Sequence, residues 1–124
     1  MDKGTDALTH SLIKDVWEHI GPGFSECVYH RALECAFRRE NLSYVSERVL
    51  PIEYKGEYVG TVRLDMTLRN DTIIELKSVT KLNKDHRTQL QNYLRLTGMS
   101  RGILVNFGDT LTIEDVKPLQ SLQL

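Results

Sequence analysis

Asp65-Met66-Thr67-Leu68-Arg69-Asn70-Asp71-Thr72-Ile73-Ile74-Glu75-Leu76-Lys77 is the stretch that decides the fold. It sets a carboxylate in one apolar strand, a short polar turn, and Glu-x-Lys in the next strand. Side chains alternate between the faces of a strand, so Glu75 and Lys77 share one face while Ile74 and Leu76 share the other. A three-residue loop, Arg69-Asn70-Asp71, is built from turn-favouring residues and brings Leu68 opposite Thr72 and Asp65 opposite Glu75. Leu64, Met66, Leu68, Ile74 and Leu76 then fall on one face. Arg63, Asp65, Thr67, Ile73, Glu75 and Lys77 fall on the other. A two-residue Asn70-Asp71 loop sets Asp65 beside Leu76 and mixes the faces, so the apolar pattern selects the first register. In that register two like charges face each other with Cβ atoms roughly 5 Å apart, which costs energy unless something compensates. A hard divalent cation compensates, because Mg²⁺ takes oxygen ligands and is commonly held by one or two carboxylates plus water and phosphate.

Outward from this hairpin the chain shows no repeats and no linker. Leu8, Leu12, Val16 and Ile20 recur at four-residue steps, which predicts an amphipathic helix over about Asp6 to Ile20. Gly21-Pro22-Gly23 stops it. Ser25 reads as the N-cap of a second helix running to about Glu40, with Val28, Ala32, Leu33, Ala36 and Phe37 inward. A strand is expected over 44–54, imperfect around Pro51, and another over about 58–68. The strand after the Asn70 turn runs from Thr72 to Val79. A helix opening at Lys84 or Asp85 carries Leu90, Tyr93, Leu94 and Leu96 and ends at Gly98. Gly102 to Phe107 is a continuous apolar strand suited to a parallel position, and Leu111 to Ile113 adds a short strand. The strand-helix-strand ending requires a crossover. The expectation is an α/β domain across residues 1–124, with a mixed sheet of four to five strands and flanking helices.

The 124 residues suit one domain with a small core, at 40% apolar and 27% charged. No apolar run approaches the ~20 residues that cross a bilayer, and no basic segment followed by an apolar one opens the chain. Cys27 and Cys35 lie on one predicted helix about 12 Å apart along its axis, too far for a mutual disulfide. Two reduced thiols fit a cytoplasmic protein, and the lack of a long apolar run gives no membrane partner. The net charge of −1 gives no global attraction to nucleic acid, so any such contact is local.

Other residues carry candidate chemistry. Glu26 stands in the first turn of the second helix, where a helix dipole favours acids. Tyr29 lies three residues on, on the same helical face. Gln89 and Tyr93 share a face of the third helix. Lys77, Lys81, Lys84 and Arg87 cluster around one strand end and helix start, a charge run that suits a phosphate backbone. His30 and His86 have no Ser or Cys partner at a telling position. No Gly-rich phosphate loop or Ser nucleophile elbow is present.

Several of these motifs follow one another in a single order: Gly23-Phe24-Ser25-Glu26-Cys27-Val28-Tyr29, then Asp65, then Glu75-Leu76-Lys77, then Gln89-Leu90-Gln91-Asn92-Tyr93. In this order the chain resembles the PD-(D/E)XK nuclease superfamily, and more narrowly its small GxxExxY proteins. Gln89-x-x-x-Tyr93 is similar to the motif of RecB-type exonucleases, and Gly102 to Gly108 looks like the closing core strand. Val62-Arg63-Leu64-Asp65 lacks the proline that often precedes the Asp. The resemblance implies a restriction-endonuclease-like core and a metal-dependent phosphodiesterase acting on nucleic acid, DNA before RNA. It implies Mg²⁺ or Mn²⁺ held by Asp65, Glu75 and the Leu76 backbone carbonyl, with Glu26 reaching the ion through water. Lys77, Gln89 and Tyr93 complete the implied catalytic set, and Lys81, Lys84 and Arg87 are candidate nucleic-acid contacts. A domain this small can dimerise around a duplex. The rival reading is a catalytically silent nuclease-fold module that binds nucleic acid or a protein, because fold alone does not fix activity.

Overall fold

The computed structural model describes residues 3–119. Its elements, in chain order, are α1 (Lys3–Ile20), α2 (Glu26–Arg39), β1 (Tyr44–Tyr54), β2 (Glu57–Leu68), β3 (Thr72–Lys77), α3 (Lys84–Thr97), β4 (Arg101–Phe107) and β5 (Leu111–Val116). The strands form one sheet in the order β1-β2-β3-β4-β5. β3 and β4 are parallel and every other neighbouring pair is antiparallel. α3 supplies the crossover that a parallel pair requires. This is the mixed α/β architecture expected from the sequence.

The decisive hairpin has the expected register: Leu68 stands opposite Thr72, Thr67 opposite Ile73 and Met66 opposite Ile74. Arg69 and Asn70 turn the chain with φ of 53° and 61°. Asn enters this left-handed region more readily than most residues, which suits it to the turn.

Helices cover both faces of the sheet. On one face α1 and α2 bury Ile13, Tyr29, Leu33 and Phe37 against Met66, Leu68, Ile74, Leu76, Val105 and Phe107. On the other, Leu90 and Leu94 of α3 meet Ile73, Leu104 and Val116. β4 feeds both cores, which explains its unbroken apolar run. A Cβ on Gly102 would lie 3.0 Å from Leu90 and Leu94 side chains, so α3 approaches β4 as closely as a glycine allows.

Leu64 corrects one expectation. It joins Ile73, Leu90 and Leu94 beneath α3 instead of Met66 and Leu68 beneath α2. The physical reason lies next to it. The β1–β2 ladder pairs Ser46 with Met66 and Arg48 with Leu64 but has no Glu47–Asp65 pair, and Glu47 has φ of 53°. Alternation breaks at that irregularity, so Leu64 and Met66 face opposite ways. The strand ends differ too. β3 stops at Lys77, two residues before the expected Val79, and β5 runs three residues past the expected Ile113. Among the described residues, no helix is long and apolar enough to cross a membrane, and both cysteines are free and exposed.

Candidate active site

The site begins with the turn that launches α2. Gly21 and Gly23 have φ of 73° and 99°, which glycine adopts without strain. The Tyr29 hydroxyl donates to the Gly21 carbonyl at 2.6 Å and accepts the Phe24 N–H at 3.2 Å. Its ring is fully buried and stacked on Phe107, with centroids 4.4 Å apart. Tyr29 is therefore a clamp on the turn as well as a member of the core. Ser25 occupies the N-cap position with extended backbone, but its side chain makes no capping hydrogen bond. Removing the clamp hydroxyl with Tyr29→Phe leaves the Phe24 N–H without its partner. The expected result is a loss of about 1–3 kcal/mol in urea unfolding, as for other partly buried groups stripped of a hydrogen bond. An unchanged midpoint would mean that the turn holds without Tyr29.

The β2–β3 ladder closes at Met66 and Ile74, and beyond it side chains replace the backbone bonds. The Leu76 N–H donates to Asp65 Oδ2 at 2.8 Å, and the Asp65 N–H donates to Glu75 Oε1 at 3.1 Å. Each acid is fastened to the other's strand. The two carboxyls thus meet in the gap between β2 and β3, where the sequence placed them side by side on one face. Asp65 also lines a groove beneath α2 that it shares with Glu26. Glu75 is only 4% exposed. Burial above all, then the Asp65 charge, pushes the Glu75 carboxyl up to about 8, and a side-chain hydrogen bond with Asp65 acts in the same direction. The Asp65 N–H and the Lys77 charge oppose the rise.

Glu26 faces this pair from the start of α2. Desolvation and then the Asp65 charge hold its carboxyl above the usual carboxylate range, while Lys77 and His30 pull it down. Lys77, half-buried at the end of β3, therefore acts on Glu26 and Glu75 alike. Its position is fixed from the following residues. Asn106 of β4 grips Val79 twice, accepting the Val79 N–H and donating to the Val79 carbonyl, both at 2.9 Å. The Ser78 hydroxyl lies 3.2 Å from the carbonyls of Phe24 and Phe107, tying the turn before Glu26 to the residue after Lys77.

From α3, half-buried Tyr93 is held above its ordinary pKa by desolvation and then by the charges of Glu75 and Asp65. Gln89 lies one turn earlier, exposed, on a groove that Tyr93 also lines. Lys81 and Lys84 are exposed. Arg87 departs from the expected basic run. Its guanidinium makes a bidentate pair with Glu114 of β5, with both bonds at 2.6 Å, and this partner lies 27 residues away in sequence.

One polar chain escaped the sequence reading. The Ser46 hydroxyl donates to Glu34 Oε2 at 2.5 Å and lies 3.1 Å from His30 Nε2. Glu26, His30 and Glu34 are spaced by four, a polar stripe along α2 whose period was the available signal. Asn106 and Ser78 gave no comparable signal, since each acts on residues distant in sequence.

Among the described residues no group of three His, Cys, Asp or Glu side chains is placed to hold a cation. Asp65 and Glu75 do fit one as a pair. Each gives one carboxylate oxygen to a backbone N–H, and a divalent ion would take the place of the proton that the buried Glu75 carboxyl otherwise holds. Two carboxylates suit Mg²⁺, which keeps several of its waters.

No curated protein matches the chain. Its fold is similar to that in the crystal structure of SSO0001, with a TM-score of 0.58 and 21% identity over 96% of this chain and 80% of that one. The family model described as PD-(D/E)XK nuclease superfamily matches residues 5–118. The chain, with its acids at the β2–β3 divergence and Lys77 beside them, belongs to the PD-(D/E)XK nuclease superfamily.

Proposed function

We propose that this protein is a metal-dependent nuclease that hydrolyses phosphodiester bonds, with DNA preferred over RNA. The observation that carries the reading is the reciprocal fastening of Asp65 and Glu75 across two diverging strands, in a chain of this superfamily. Asp65, Glu75 and the Leu76 carbonyl would hold Mg²⁺ or Mn²⁺, with Glu26 acting through a water. When bound, such an ion polarises the scissile phosphate and lowers the pKa of a water.

The remaining work falls to the chain's own groups. Lys77 brings an ammonium to the acids and offsets charge that develops on the phosphoryl oxygens. Tyr93 and Gln89 border the same space from α3 and position the phosphate. Lys81 and Lys84 serve the nucleic-acid backbone, whereas Arg87 is withdrawn from that role because Glu114 already neutralises it. The narrower GxxExxY grouping rests on the Gly23 to Tyr29 pattern. A single domain, a cytoplasmic location and a homodimer complete the proposal.

The test is a cleavage screen on labelled single- and double-stranded DNA and RNA with Mg²⁺ or Mn²⁺, beside Lys77→Ala. Cleavage by the wild type and a loss on the order of 10²–10³-fold in Lys77→Ala are expected, the range for removal of one transition-state charge stabiliser. Binding to any of these substrates without cleavage would instead favour the silent-module reading.

A further inference from the structure

Two grooves border the candidate site, and they differ in chemistry. The first, of about 330 Å³, runs beneath α2. It collects the carboxylates of Glu26, Glu34, Glu47 and Asp65 against the guanidiniums of Arg31 and Arg63. Four negative charges against two positive leave it two charges negative. The second, of about 600 Å³, runs between α3 and the β1–β2 hairpin. Its ionic groups are Asp85 and Arg95, which cancel. A polyanion that reaches the acids is repelled along the first path and not along the second.

The second groove is also shaped for something other than phosphate. Ile52, Val62 and Leu96 give it an apolar lining, Tyr93 adds an aromatic residue, and Gln89 and Asn92 contribute amides. Gln89, Asn92, Tyr93 and Leu96 stand at helical steps of three and four, so they form one stripe of α3. Leu96 is 42% exposed, an apolar residue with no place in either core. Among the described residues neither amide has an intramolecular hydrogen bond. Paired donors and acceptors on Asn and Gln match the edges of nucleobases, and aromatic or apolar surfaces take their faces. A duplex keeps base faces stacked and hidden. Only an unpaired strand can offer both faces and edges, and single-strand binding relies on such stacking surfaces.

We infer that the groove between α3 and the β1–β2 hairpin receives the bases of one or two unpaired nucleotides next to the scissile phosphate. The substrate is then a nucleic acid that is single-stranded at the cleavage point. Tyr93 joins the two functions, since it lines the groove and lies close enough to feel the charges of Glu75 and Asp65. The inference rests on the nuclease reading and deepens it.

The test compares wild type with the double variant Asn92→Ala, Leu96→Ser, both substitutions lying on the exposed side of α3. Three quantities are measured: anisotropy of a labelled single-stranded oligonucleotide, anisotropy of its blunt duplex, and Mn²⁺-supported hydrolysis of bis(p-nitrophenyl) phosphate, a phosphodiester without a base. The wild type is expected to bind the single strand more tightly than the duplex. The double variant is expected to weaken single-strand binding about tenfold, the scale of losing a base contact, with duplex binding and bis(p-nitrophenyl) phosphate hydrolysis unchanged. Equal affinity for single strand and duplex, or unaltered single-strand affinity in the variant, would overturn the inference. Failure of the nuclease reading gives a different result: no hydrolysis of bis(p-nitrophenyl) phosphate by the wild type, whatever the oligonucleotide affinities.

Discussion

Replacing Glu75 with glutamine is expected to stabilise the metal-free protein at pH 8 and to change it little at pH 5. The folded Glu75 carboxyl is raised from 4.5 to about 8. The folded state therefore keeps a proton that the unfolded chain has already released. Below about pH 4.5 both states are protonated and no penalty exists. As pH rises from there toward 8, the unfolded state gains by ionising while the folded state does not, so stability falls across that window. Every tenfold difference in proton affinity between the two states is worth about 1.4 kcal/mol, which puts the full effect on the order of several kcal/mol. Glutamine cannot ionise. Its carbonyl still accepts the Asp65 N–H, and its amide donates to the Asp65 carboxylate. Urea unfolding from pH 5 to 8 in the presence of a chelator measures the difference. The wild-type curve should fall relative to Glu75→Gln as pH rises, and Mg²⁺ should recover part of the loss by binding the native state. Parallel curves would show that neither burial nor the Asp65 charge holds the folded Glu75 carboxyl above its ordinary range.

Asp65→Asn separates chemistry from architecture. Asparagine retains an oxygen for the Leu76 N–H, a bond of 2.8 Å in the native protein, so the β2–β3 divergence should survive. The anion is lost, and with it a metal ligand. Cleavage is expected to fall on the order of 10³-fold, comparable to deletion of one preorganised electrostatic group. Unfolding without metal should be unchanged or slightly harder, because a like-charge contact disappears. Asp65→Ala should lose activity to the same degree and also lose about 1–3 kcal/mol, since it strands the Leu76 N–H. Calorimetric titration completes the comparison: metal affinity should drop in Asp65→Asn and persist in Lys77→Ala. Equal metal binding by wild type and Asp65→Asn would remove Asp65 from the ligand set.

The register of the central hairpin was legible because two rules agreed there. A period of two sorted the apolar residues, and Arg69-Asn70-Asp71 supplied a turn of the right length. The same period misplaced Leu64. Nothing in β2 itself announces that Glu47, on the neighbouring strand, has left-handed backbone and interrupts the ladder at Asp65. Glu114 and Asp115 look like loop residues in the sequence, yet both belong to β5. Glu114 is drawn in by Arg87, a pairing between distant segments that also removed Arg87 from the basic run. Glu26 illustrates a different limit. Its local sequence favours a dipole-stabilised surface acid, and only the order of motifs along the chain points it toward Asp65. The grip of Asn106 on Val79 had no sequence signature, since a buried amide in an apolar strand gives no indication of which backbone it will bind.

The corner beyond Phe107 bears on how this chain can be altered. A Cβ at Gly108 would lie 2.6 Å from the Val79 carbonyl, and Asn106 grips the same residue. Any insertion or larger residue there pushes on the segment that follows Lys77. Gly56, at the tip of the β1–β2 hairpin, would meet nothing within 4 Å if it carried a Cβ, although its φ of 83° disfavours other residues. A fluorescent label or peptide graft spliced into that tip, with the glycine kept, should leave the acids in place. Splicing beside Gly108 should move Lys77 before it harms the core. The protein therefore has one end open to engineering and one end closed to it.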